Sequence, residues 1–168
     1  MNLLLCGDVV GRPGRDAVKA HLPHLRRELA LDVAIINVEN MAHGFGLTEK
    51  LCGEIYEAGA DILTTGNHVW DQKEVIPYIE RDPRVLRPAN FPPGTPGKGA
   101  YLHTLPDDRR LLVVNLMGRL FMDALDDPFR GLDAEIGSYA LGRDVAATVV
   151  DFHAEATSEK AAFGHHAD

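Results

Sequence analysis

Short apolar runs alternate along this chain with segments of helical periodicity. Leu3 to Cys6 is an apolar run closed by Gly7-Asp8; after a loop carrying Gly11, Pro13 and Gly14, the stretch Asp16 to Leu29 has helical composition. Pro23 is expected to split that helix in two, because it lacks an N–H and clashes with the preceding turn. Val33 to Val38 predicts a buried second strand. Thr48 then opens a helix with Leu51, Ile55 and Ala58 at helical spacing, closed by Gly59. Ile62 to Thr65 predicts a third strand, and Gln72 to Glu80 the helix after it. Three strand-loop-helix units in succession favour a parallel sheet with right-handed crossovers.

The middle of the chain changes character. Arg87 to Gly99 holds four prolines and three glycines and reads as a loop. Ala100 to Leu105 and Leu111 to Leu116, separated by Pro106-Asp107-Asp108, predict a hairpin of antiparallel strands. Met117 to Arg143 carries one helical signal, near Leu132. Val145 to Phe152 restores the strand pattern, and Thr157-Ser158-Glu159-Lys160 begins a last helix. The fold class is therefore α/β with mixed sheets.

A chain of 168 residues with 45% apolar content suits one globular domain spanning 1–168. A formal charge of −8 argues against duplex nucleic acid as a partner, since binding it depends on clustered Lys and Arg that release counterions. A small anionic substrate stays compatible if metal cations supply the positive field. Cys6 and Cys52 have neither zinc-motif spacing nor the number for a disulfide framework, and both are expected to be buried reduced thiols. Met1 to Cys6 lacks the basic leader of a lipoprotein signal, and no apolar segment approaches the ~20 residues that cross a bilayer. The chain thus reads as cytoplasmic, with no membrane partner.

Four polar groups follow these apolar runs: Asp8, Glu39, Asn67 and His153. A parallel sheet gathers its functional groups at the carboxyl ends of its strands, so ligands distant in sequence can converge there. Any one carboxylate after a strand is more often a cap or turn residue; the repetition of the pattern points to a metal site. Two carboxylates, an amide carbonyl and an imidazole suit Mn, Fe or Zn better than a thiolate-seeking metal. Glu39 is placed to bridge two ions, and such a pair activates water and clamps the oxygens of a phosphoryl group. His68, beside Asn67, is then the candidate general acid, and Asn40, beside Glu39, a donor to a phosphate oxygen.

Other signals fail. Gly94 to Gly99 is faintly like a phosphate-binding loop, but no Ser or Thr follows Lys98. Gly7, Gly11 and Gly14 do not form a dinucleotide fingerprint, and no serine-hydrolase elbow is present. His165 and His166 are adjacent on a predicted helix, where neighbours diverge by about 100°, and make a poor chelating pair. Trp70 is expected to anchor the helix after His68, and Arg12, Lys98 and Arg119 read as solvated charges.

Taken together, Gly7-Asp8-Val9-Val10-Gly11, Asn37-Val38-Glu39-Asn40 with Gly44-Phe45-Gly46, Gly66-Asn67-His68-Val69-Trp70-Asp71, Arg87-Pro88-Ala89-Asn90 and the run Asp151 to Lys160 closely resemble the YmdB-like bacterial metallophosphoesterases. The resemblance implies a calcineurin-like α/β/β/α sandwich that hydrolyses small phosphate esters, cyclic nucleotides among them, with two divalent ions, Fe or Mn ahead of Zn. It implies that Asp8, Glu39, Asn67 and His153 bind metal, that Glu39 bridges, and that His68 and Asn40 serve the substrate. Such proteins continue into a further strand bearing two more histidine ligands, whereas this sequence stops at Asp168, so an amino-terminal fragment is expected. Absent strands would leave a sheet edge that invites pairing into a homo-oligomer. The rival expectation is a non-catalytic regulatory or binding module that keeps the fold with an incomplete metal centre.

Overall fold

Val33 to Asn37 is apolar in four successive positions and at most 1% exposed throughout, the pattern of a strand covered on both faces. The computed structural model describes residues 1–168. The chain divides into two units, Met1–Val85 and Leu86–Asp168.

In the first unit the order is β1 (Leu3–Cys6), α1 (Gly11–Glu28), β2 (Val33–Asn37), α2 (Glu49–Glu57), β3 (Ile62–Thr64), α3 (Val75–Arg81) and the short β4 (Val85–Leu86), which straddles the division. The sheet runs β1-β2-β3-β4, with β1, β2 and β3 parallel as the three strand-loop-helix units imply. Fully enclosed Ile35, Ile55, Ile62, Leu63 and Ile79 form the core, each contributing about 1.5–3 kcal/mol on burial. Lys19 on α1 pairs with Glu54 on α2 at 2.8 Å, and Arg26 holds the Gly59 carbonyl and Asp61, both at 2.5 Å. Thr48 caps α2 by accepting the Leu51 N–H, as its sequence position predicts.

Several local expectations are corrected. Helix α1 starts at Gly11, five residues before Asp16, because Pro13 falls in the first turn, where a missing N–H costs nothing. Pro23 does not split it: the helix runs unbroken through eighteen residues, with buried Leu22 and the Arg26 bonds securing the turns around the missing donor. Helix α3 begins at Val75, three residues later than the pattern suggests. In the segment after His68, Val69 is fully enclosed and Trp70 half-buried. Cys52 is enclosed and burial pushes its thiol up to about 12, but Cys6 is only half-buried. No helix is long and apolar enough to cross a membrane.

In the second unit β5 (Ala100–Thr104) and β6 (Arg110–Met117) form the expected antiparallel hairpin, followed by α4 (Pro128–Ile136), β7 (Ala147–His153) and α5 (Thr157–Ala167). β7 runs parallel to β6 and ends its sheet, whose order is β5-β6-β7. As an edge strand it is half-buried rather than enclosed, and it includes His153 as its last residue. Leu112, Val114, Leu116, Leu132, Val145 and Phe163 make the core, with Phe152 stacked on Phe163 at 4.0 Å. Arg87 stitches the Pro- and Gly-rich loop by donating to the carbonyls of Pro88 (2.7 Å), Pro96 (3.1 Å) and Thr95 (3.3 Å).

Gly99 closes that loop where no side chain fits: a Cβ there would overlap Cα and Cβ of Ala89 and come within 2.9 Å of its nitrogen. Gly99 and Ala89 flank Asn115, whose N–H donates to Gly99 and whose carbonyl accepts from Ala89. Gly99→Ala is therefore expected to cost about 1–3 kcal/mol, because backbone and not a flexible side chain must give way. Thermal unfolding that matches the parent would refute this.

Candidate metal centre

Strands β1, β2 and β3 end at Cys6, Asn37 and Thr64, and the next few residues of each leave the sheet at the same edge. Backbone bonds tie these exits together: Val9 donates to the Asn37 carbonyl (3.0 Å), Gly11 to Asn40 (2.9 Å) and Val38 to Thr64 (2.9 Å). The buried Asn37 side chain accepts the Glu39 N–H at 3.1 Å, and Arg15 of α1 donates to the Met41 carbonyl. Asp8 and Glu39 are thereby fixed from below by main-chain geometry, with carboxylate oxygens within 4.8 Å of each other.

The two carboxylates differ in setting. Asp8 is exposed, whereas Glu39 is 1% exposed. A buried carboxylate must be compensated, and Glu39 accepts the backbone N–H of His68 at 3.1 Å and the Asn40 amide at 3.3 Å. Asn40 is thus held against Glu39, and its amide keeps a second hydrogen for another acceptor. Asn67, half-buried, follows β3 and immediately precedes His68. Two oxygens bound to one cation at 2.0–2.2 Å lie up to roughly 4.4 Å apart, so the Asp8–Glu39 spacing and all-oxygen donors fit a divalent ion with little movement.

Beside this pair, His68 Nδ1 lies 2.7 Å from Asp71 Oδ2. An ionised carboxylate only accepts, so Asp71 places the hydrogen on Nδ1 and fixes the ring, with Nε2 outside that bond. Hydrophobic patterning gives Asp71 no role, although its i+3 spacing from His68 carries the signal. The loop from Met41 to Gly46 carries the glycines at 44 and 46 that the sequence already marks near the site. His43, Gly44 and Gly46 all have positive φ, Ala42 and Gly46 are bonded at 2.9 Å, and Gln72 donates to the Phe45 carbonyl at 3.1 Å. A Cβ on Gly46 would come within 2.8–3.2 Å of Gln72 and Asp71, so this position requires glycine on both conformational and steric grounds.

The structure brings Asp8, Glu39, Asn40 and His68 together within the first unit. His153 belongs to the second unit, half-buried at the carboxyl end of β7, opposite Met117 in register. Its carbonyl accepts the Gly118 N–H at 2.9 Å, and Glu159 of α5 accepts the next two N–H groups, Arg119 at 2.8 Å and Leu120 at 3.2 Å. The segment after β6 is thereby moored to the strand end that carries His153.

A family model described as "YmdB-like protein" matches residues 4–168. A Bacillus subtilis (strain 168) protein named 2',3'-cyclic-nucleotide 2'-phosphodiesterase is 48% identical over 168 residues, which are 100% of this chain and 62% of that protein. The crystal structure of a hypothetical protein from Thermus thermophilus superposes with a TM-score of 0.92 at 45% identity, covering 100% of this chain and 64% of that one. The structure of a novel phosphatase from Mycoplasma pneumoniae gives 0.88 at 32% identity, covering 98% and 59%. The chain therefore spans about 60% of the length of the relatives it matches, and shares their α/β fold with parallel and mixed sheets.

Proposed function

Because the chain belongs to the YmdB-like protein family, we propose that it serves metal-dependent hydrolysis of phosphate esters, as a phosphodiesterase acting on cyclic nucleotides or similar small phosphodiesters. The observation that carries this reading is the buried Glu39 carboxylate, within 4.8 Å of Asp8 and bonded to the main chain of His68. In the proposal Asp8, Glu39, Asn67 and His153 would hold two divalent ions, and the oxygen-rich donor set favours Fe or Mn over Zn. When bound, such ions supply positive charge that polarises a phosphoryl oxygen and promotes ionisation of water near neutral pH. Asn40 offers its second amide hydrogen to a phosphate oxygen. His68, aligned by Asp71, gives a proton from Nε2 to the departing alkoxide.

The proposed substrate is a small phosphate ester, since a chain of net charge −8 does not suit duplex nucleic acid. We place the protein in the cytoplasm, where Cys6 and Cys52 remain thiols. The test is hydrolysis of a 2',3'-cyclic nucleotide by chelator-stripped protein after addition of Mn²⁺ or Fe²⁺, with metal content measured by elemental analysis. Metal uptake with restored hydrolysis is expected, and Asp8→Asn or His153→Ala should lower metal content first. Unchanged metal content in both variants would remove these residues from the ligand set, and metal uptake without hydrolysis would favour the non-catalytic reading.

A further inference from the structure

Phe45 presents a large aromatic ring to solvent, 58% exposed, on a loop that is otherwise tightly constrained. Its N–H donates to the Ala42 carbonyl at 3.1 Å and its carbonyl accepts from Gln72 at 3.1 Å, while buried Met41, Ala42 and Leu47 root the segment on either side. The left-handed conformations of His43, Gly44 and Gly46 give the chain the turns needed to bring Phe45 outward. Its ring meets that of His68 edge to face, with centroids 5.0 Å apart and planes at 67°. An apolar ring held out of the core by a rigid loop, touching the candidate acid, is a preorganised surface with a free aromatic face.

We propose that Phe45 is a stacking platform for the nucleobase of a nucleotide substrate, and so sets the preference of this site for nucleoside phosphates over phosphate esters without a ring. This inference rests on the reading of His68 as the group that faces the leaving oxygen. In a ribose 2',3'-cyclic phosphate the base is carried by the carbon next to the one bearing the 2' oxygen. A proton donor at that oxygen therefore has the base as its near neighbour, on the scale of the Phe45–His68 contact. Aromatic rings accept any base, because every base has a π face, so the platform selects for nucleosides as a class and little among the bases.

The test is calorimetric titration of the protein, in the presence of Mn²⁺, with 3'-AMP and with glycerol 2-phosphate, which carries the same ester group and no ring. Phe45→Ala is expected to weaken 3'-AMP binding about 5- to 150-fold, the range that one base–aromatic stack is worth. Affinity for glycerol 2-phosphate should move by less than about twofold. Phe45→Tyr should keep the preference and Phe45→Leu should lose it, which separates stacking from apolar bulk. Equal losses for both ligands, no loss for either, or a leucine variant that matches the parent would overturn the proposal. If the protein hydrolyses no cyclic nucleotide yet shows this binding pattern, the platform stands and the hydrolase reading alone falls. Hydrolysis by a protein whose Phe45→Ala variant binds 3'-AMP normally removes the platform and keeps the hydrolase.

Discussion

Glu39→Gln is expected to lower hydrolysis of a cyclic nucleotide by about 10³-fold or more and to reduce bound metal below half of the parent's content. The several kcal/mol of charge stabilisation that a divalent ion supplies sets this scale. The substitution is nearly isosteric, so it tests charge and donor chemistry rather than volume. Glu39 is 1% exposed and uses both oxygens, one toward the His68 N–H and one toward the Asn40 amide. Glutamine keeps one acceptor and turns the other into a donor, so one of the two facing N–H groups loses its partner in a buried place. That adds about 1–3 kcal/mol of destabilisation, visible in denaturant unfolding. A variant with normal metal content and turnover would show that the carboxylate is a structural buttress for the loops and no ligand.

Much of this arrangement is legible in the chain. Asp8, Glu39 and Asn67 are readable because a parallel sheet converts the positions just after three apolar runs into neighbours at one edge, whatever their separation in sequence. The hairpin of β5 and β6 is equally plain, since turn residues bound it, whereas the helix around Leu132 lies in a stretch whose pattern is ambiguous and is fixed at its start by the Asp127 cap. What escapes is what tertiary bonding decides. Pro23 breaks helices as a local rule, but Leu22 and Arg26 fix the turns on either side of it. β4 is two residues long and too short to show any period. Arg15 and Gln72 act on partners that sequence spacing alone cannot place, both across more than twenty residues. The division of the chain at Val85 falls inside a strand and leaves no composition signal.

His68→Ala is expected to cost about 10²- to 10⁴-fold in turnover of substrates with poor alkoxide leaving groups, while leaving metal content at the parent level. The two effects part because His68 meets the site through different atoms. Its backbone N–H holds Glu39 at 3.1 Å, a bond that alanine retains, whereas its imidazole is bonded only sideways, to Asp71, and keeps Nε2 available. On the proposed reading, loss of the ring removes the proton donor and spares the groups that would hold the metal. A good leaving group such as p-nitrophenolate needs little protonation, so hydrolysis of its phosphodiester should fall by less than about tenfold in the same variant. Asp71→Asn should lie between the parent and His68→Ala on the poor substrate, since it leaves the imidazole in place but removes the carboxylate that orients it. Equal losses on good and poor leaving groups, or a drop in metal content matching that of Glu39→Gln, would assign His68 to the metal shell instead of to proton transfer.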